Sequence, residues 1–245
     1  MTSVQTDWPR TVWARFVRDP AQGPLPALLL VLTAMTGLID AVSILGLGRV
    51  FVANMTGNVV FIGFALAGAP GFSLSASIAA LLGFLAGALA GGVLVGRFAR
   101  HRGLMLRNTG AMEFTLMAIA FILVLPSAGL PGSGVAVAVS ALCAAAMGIQ
   151  NTSARRLAVP DLTTTVLTMT LTGIAADLRH SPALTTTRRI LAVLAMLLGA
   201  SVGTLLVLNT SLAWALGLAL ILLGAVVAIA TVQSRQPAEW HVHAA

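Results

Sequence analysis

The chain has 245 residues, of which 58% are hydrophobic and only 9% charged, and its mean hydropathy is +0.97. A soluble domain carries about a quarter charged residues to coat its surface, so this composition excludes a soluble enzyme and makes the lipid bilayer the chain's first partner. All 14 basic residues are arginine, against 7 acids, for a net charge of +7. They fall in short stretches between apolar runs, where topology and lipid headgroups account for them and nucleic acid does not.

Residues 1–25 read as a cytoplasmic N-terminal arm. They are mostly polar, not a short basic stretch before a cleavable apolar core, so the first apolar segment is expected to be a permanent anchor. Within the arm, Trp8, Val12 and Phe16 recur at i, i+4 and i+8 among Arg10, Arg15 and Arg18. That spacing suits a short amphipathic helix in the headgroup region, with a partly disordered arm as the alternative.

Crossing a bilayer takes about 20 apolar residues. Runs of that kind lie at 26–47, 74–96, 110–128, 134–153, 188–208 and 211–232. Two further segments, 51–69 and 161–176, are shorter or more polar. If both crossed, the arginines would divide 7 against 7 between the two sides; if neither crosses and the N-terminus is inside, they divide 13 to 1, with Arg49 alone outside. Cytoplasmic loops are enriched in arginine, so six full spans with two short broken or re-entrant helices and both termini cytoplasmic are expected, a marginal helix that crosses being the alternative. The fold class is an all-α integral membrane protein.

An internal repeat accompanies this pattern. Gly37-Leu38-Ile39-Asp40-Ala41 aligns with Gly148-Ile149-Gln150-Asn151-Thr152, Asn54–Asn58 with Thr168–Thr172, and Leu85–Gly91 with Leu197–Gly203, in the same order and at offsets of 111 to 114. Three crossings per half would make the halves, 26–131 and 132–233, an inverted repeat followed by a cytoplasmic tail at 234–245.

Asp40 lies inside the first span, where an unpaired charge is costly, so it must face protein or water. Thr33, Thr36, Gly37 and Ser43 share its helical face. The functional reading is a proton or cation relay or a substrate contact, and the structural one is a cap on the nearby broken helix. Asn54, Thr56 and Asn58, with Gly57 among them, suit non-helical backbone lining a cavity, or a cap of the helix that follows. Thr164, Thr168 and Thr172 form an i, i+4, i+8 hydroxyl stripe with Asp161 placed as N-cap; the alternative is that each threonine bonds its own helix. The candidate substrate or ion pathway is therefore Asp40, Asn54, Thr56, Asn58, Asn151, Thr168 and Thr172, meeting near the midplane.

The Gly87/Gly91 and Gly199/Gly203 pairs read as close helix contacts, with a contact between the two halves as one expectation. An ion pair with the 97–107 arginines is the role expected of Glu113. No metal site is expected, because His101, His180, His241 and His243 lie in loops or the tail and Cys143 stands alone, which also excludes a disulfide framework. No nucleophile, P-loop or dinucleotide pattern occurs, so neither an enzyme nor a cofactor is expected.

The stretch Thr36–Ser43, followed by Gly46–Asn58, resembles the signature of the YoaK family of small bacterial multi-pass membrane proteins. Gly148–Asn151 and Thr163–Thr168 resemble that family's second conserved region, with Met169 where its pattern has a second glycine. The resemblance covers about residues 26–232. It implies a bacterial cytoplasmic-membrane protein and brings no ligand with it. The lead expectation is a small-solute permease or channel-like protein, and the rival is a non-transporting structural or regulatory membrane protein.

Overall fold

A computed structural model describes residues 21–127, 130–160, 162, 164, 167–176 and 182–242. Among them all regular structure is helical: α1 (Leu25–Gly46), α2 (Met55–Leu66), α3 (Leu74–Arg97), α4 (Arg102–Val124), α5 (Ser133–Leu157), α6 (Leu167–Ala176), α7 (Ala183–Asn209), α8 (Leu212–Gln233) and a 3-10 turn, Glu239–His241. Six of these, α1, α3, α4, α5, α7 and α8, are long and apolar enough to cross a membrane, while α2 and α6 are short. The N-terminal arm with Trp8, Val12 and Phe16, the expected cap Asp161, and Thr163, Arg179, His180 and His243 lie outside the described residues.

Helix ends follow local chemistry. Prolines open α1 in its first turn, where a missing N–H is harmless. Ser73 Oγ accepts from Ala76 N at 3.2 Å to cap α3, and His101 Nδ1 accepts from Leu104 N at 3.1 Å to cap α4. The second cap explains why the third span starts at Arg102 and not at 110: hydropathy marks where the apolar core begins, whereas the helix extends to its cap. Likewise α5 runs past 153 to Leu157 and ends where Ala158 turns left-handed at φ 49°.

Close glycine contacts set the helix directions. Gly199 and Gly203 of α7 lie on Ala34 and Leu38 of α1, so these helices run parallel; Gly87 and Gly91 of α3 lie on Ala145 and Ile149 of α5, also parallel. At Gly87 and Gly199 the neighbouring carbonyl oxygen occupies the place of a Cβ, and Gly37 and Gly148 repeat this from the other side, against Met196 and Phe84. Both contacts join one half of the chain to the other. By contrast α1 and α5 are antiparallel: Gln150 Nε2 donates to Thr36 Oγ1 at 2.8 Å and Ser140 Oγ to Leu47 O at 3.5 Å. α4 and α8 are antiparallel too, Gly110 meeting Val227 and Gly217 meeting Phe121. The six long helices therefore alternate in direction, with α1 and α5 the most buried of them.

One end of the bundle gathers the start of α1, the start of α4, and the ends of α5 and α8. There Arg102, 3% exposed, donates to Ala21 O, Gln22 Oε1 and Leu157 O. Trp240 is buried against Gly23 and Gly103. The opposite end holds the segment 47–73. Gly48 lies against Ser73 and Ala76, Phe51 stacks on Phe61 at 5.6 Å, and Phe61 packs on Phe72 at 5.0 Å. The segment leaves and rejoins the bundle at the same end, so α2 does not cross. The other short helix, α6, lies with Gly173 on Arg189 in the second turn of α7, at the arginine-rich end.

Candidate functional site

The polar stripe of α1 is mostly satisfied within the helix. Thr33 Oγ1 donates to Leu29 O, Thr36 Oγ1 to Leu32 O and Ser43 Oγ to Asp40 O, at 2.8 to 3.0 Å. Thr36 also accepts from Gln150 of α5, and Asp40 reaches out to the loop before α2. Its Oδ1 accepts from the backbone N–H groups of Val52 and Ala53 at 3.4 and 3.3 Å, and its Oδ2 accepts from Asn54 Nδ2 at 2.7 Å. A buried carboxylate is tolerated when such donors replace its water.

The partner of Asp40 is a loop that cannot continue the helix. Gly48 and Arg49 hold positive φ, 95° and 57°, which turn the chain back toward α1. A second fastener closes the loop on α2: Asn58, fully buried, accepts from Phe51 N at 2.8 Å through Oδ1 and donates to Phe51 O through Nδ2. Asn54 stands at the N-cap position but makes no side-chain bond to the helix, because its amide is turned to Asp40. The capping expectation therefore does not describe Asn54. Thr56 is exposed on the first turn of α2.

Asp40 and Asn54 line a cavity of about 320 Å³ together with Phe51; the facing wall is Met196, Ala200 and Thr204 of α7. Both halves of the chain thus build it. A larger hollow of about 550 Å³ between α4, α7 and α8 is lined by Phe121, Leu125, Leu206, Trp214 and other apolar side chains, with the Trp214 indole N–H its one side-chain donor.

The seven residues expected to converge do not share one midplane site. Asp40 and Asn54 meet, Asn58 closes on Phe51, and Asn151 is half-buried on α5. Thr168 and Thr172 are exposed on α6 at the opposite end of the bundle, and Thr172 Oγ1 donates to Thr168 O at 2.9 Å, the i−4 bond that a helical threonine readily makes. The reason is geometric: the two short polar segments fold back at opposite ends and cannot come together. Thr164, at φ 58°, precedes α6 and does not continue the hydroxyl stripe as a helix.

Glu113 also departs from expectation. It sits midway along α4, 1% exposed, and its Oε1 has no hydrogen-bond partner, so it forms no ion pair with the arginines. The start of α4 at Arg102, a turn or more ahead of the apolar run, carries it deeper than its distance from the cluster implied.

Sequence reasoning missed the α7 wall, Arg102 as a buried tie between three elements, and the contact of the His101 and His241 rings at 4.1 Å. The repeat held a signal for the wall, since Met196 and Ala200 align with Phe84 and Ala88. Nothing marked Arg102 among its neighbours. Among the described residues no three His, Cys, Asp or Glu side chains gather as metal ligands.

A family model described as "Protein of unknown function (DUF1275)" matches residues 28–229. The chain is 34% identical over 156 residues to the "UPF0700 transmembrane protein YoaK" of Bacillus subtilis (strain 168); the match covers 62% of this chain and 66%, just under two thirds, of that protein. No solved structure matches. The matched region opens within the first turn of α1 and closes four residues short of the end of α8. It takes in both halves of a multi-pass membrane protein, and the chain belongs to this YoaK-type DUF1275 family.

Proposed function

We propose that the chain is a small-solute permease or channel-like protein of the bacterial cytoplasmic membrane, built as an inverted repeat, with its site at the Asp40–Asn54 cavity. The observation that carries this reading is that both halves contribute to one polar-edged cavity, Asp40 and Asn54 from the first and Thr204 from the second. Cavities at the interface of inverted repeats, beside broken helices, are where transporters hold solutes. The repeat reading draws on matched contacts: Gly37 on Met196 and Gly148 on Phe84, Gly199 on Ala34 and Gly87 on Ala145, each pair related by offsets of 111 and 112.

Orientation follows from charge. Arg97, Arg100, Arg102, Arg107, Arg155, Arg156, Arg188, Arg189 and Arg235 belong to the end that also holds Gly23 and Trp240, and Arg49 to the other. The arginine-rich end is cytoplasmic by the positive-inside rule, and both termini with it.

A non-transporting structural or regulatory role is the second reading. It is favoured by the engagement of both Asp40 oxygens with the loop, which leaves the carboxylate little capacity for a solute. Growth and metabolite uptake compared between a deletion strain and an Asp40→Asn strain separate the two. Under the permease reading, deletion abolishes uptake of at least one solute and Asp40→Asn reduces it. Unchanged uptake of every solute on deletion rejects transport.

A further inference from the structure

The relation between the halves carries one cavity onto another. At an offset of 111, Ala41, Ile44 and Leu45 beside the Asp40 cavity become Thr152, Arg155 and Arg156. These three, with Val95 of α3, line a second cavity of about 310 Å³ at the other end of the bundle. The two cavities share these three positions, and there the chemistry differs, since two guanidinium groups stand where the first half has Ile44 and Leu45.

Arg155 and Arg156 are exposed in the last turn of α5. Among the described residues neither has a hydrogen bond or ion pair, and no carboxylate lines the cavity. The Thr152 hydroxyl is committed to Gly148 O and Ala88 O at 3.0 and 3.3 Å, which ties the cavity floor to α3 and leaves the guanidinium groups as its free donors. Beside the cavity Gly92 opens onto empty space, and α3 turns Leu85, Leu89 and Val93 outward, the last two about three-quarters exposed. Paired planar donors at the polar edge of an exposed apolar helix match a phosphate diester carrying acyl chains.

We propose that Thr152, Arg155, Arg156 and Val95 form a binding site for the phosphate of an anionic phospholipid, whose acyl chains run along α3. The inference rests on the two unpaired guanidinium groups beside the exposed face of α3 and not on transport.

Native mass spectrometry of the full chain in neutral detergent tests it, with phosphatidylglycerol, phosphatidylcholine and inorganic phosphate as probes. Wild type is expected to retain phosphatidylglycerol about tenfold over phosphatidylcholine, given what each surface arginine adds toward anionic lipid. Arg155→Gln with Arg156→Gln should abolish that preference, and Arg156→Gln alone, the milder change, should at least halve it. Arg100→Gln with Arg235→Gln, at the same end but not lining the cavity, should leave it intact. An equal loss in that control would make the effect one of general charge and overturn the site. Binding of inorganic phosphate that displaces phosphatidylglycerol would overturn the lipid assignment in favour of a soluble anion.

Discussion

Asp40 and Asn54, 14 residues apart in sequence, are joined by a 2.7 Å hydrogen bond that fastens the loop before α2 to the side of α1. With the two backbone donors on its other oxygen, the carboxylate holds the turn that sends α2 back to the end it came from.

That bond is directional, so exchanging the partners is informative. Asn54→Asp sets two carboxyl groups against each other and should cost stability. Asp40→Ala strands three donors and should cost about 1–3 kcal/mol for each that stays unsatisfied. Asp40→Asn combined with Asn54→Asp restores a donor and an acceptor, and should melt closer to wild type than Asn54→Asp alone. Thermal unfolding in detergent reads all three; a double variant less stable than Asn54→Asp would reject the pairing.

Four glycines that look alike in sequence differ in what a methyl group would meet. At Gly87 and Gly199 a carbonyl oxygen already occupies that place, at Gly203 the nearest atom is Leu38 O at 2.7 Å, and at Gly91 it is Ile149 Cα at 3.1 Å. Alanine should therefore destabilise in the order Gly87 and Gly199, then Gly203, then Gly91. The first two should lose about 1–3 kcal/mol, the usual penalty for overpacking. Gly92→Ala, with nothing within 4 Å, is the control. Equal melting temperatures for Gly87→Ala and Gly92→Ala contradict the close approach of α3 and α5.

The sequence made the six long helices, the non-crossing short segments and the glycine seams legible, because each depends on composition or on spacing within one helix. The pairing of Asp40 with Asn54 was half legible. Two polar groups inside an apolar stretch must be satisfied somewhere, yet only the fold decides whether Asn54 caps α2 or turns to Asp40. The convergence of Thr168 and Thr172 on that site was misread, because aligned repeats say which residues are equivalent and not that they are close. The two short helices, α2 and α6, lie at opposite ends of the bundle. Glu113 was misplaced because helix length was read from hydropathy, while His101 caps α4 beyond the apolar run.

The C-terminal tail should respond to pH. His241 is buried beside Trp240 and against His101, and its pKa lies below the usual 6.5, first through burial and then through the His101 charge, with the bond to Gln233 O opposing. A base whose pKa is depressed on docking is held neutral there, so docking is fully stable above about 6.5 and weakens as pH falls below it. Limited proteolysis of the tail should accelerate between pH 7 and pH 5, roughly the range in which histidine titrates. His241→Gln should flatten the dependence, and a tail equally resistant across the range contradicts it.

Helix direction makes a topological prediction. Reporter fusions after residues 23, 101, 181 and 236 should all report the cytoplasm, and fusions after 49, 72 and 130 the outside. Opposite locations for the 97–107 and 178–189 loops would remove both the non-crossing short helices and the inverted repeat.

The permease reading requires that water reach the Asp40–Asn54 cavity, and thiol accessibility measures this directly. With Cys143 replaced, single cysteines at Asn54, Thr56, Asn58 and Leu197 are treated with a small membrane-permeant thiol reagent, which reacts readily only where water allows the thiolate to form. Asn54 lines the cavity, Thr56 is exposed, Asn58 is fully buried and Leu197 is 59% exposed on an apolar face of α7. Labelling is expected at Asn54 and Thr56, with Asn58 and Leu197 slow. If the cysteine at Asn54 stays unlabelled in folded protein while Asn54→Ala loses stability, the Asp40–Asn54 bond is a dry structural latch and the permease reading fails.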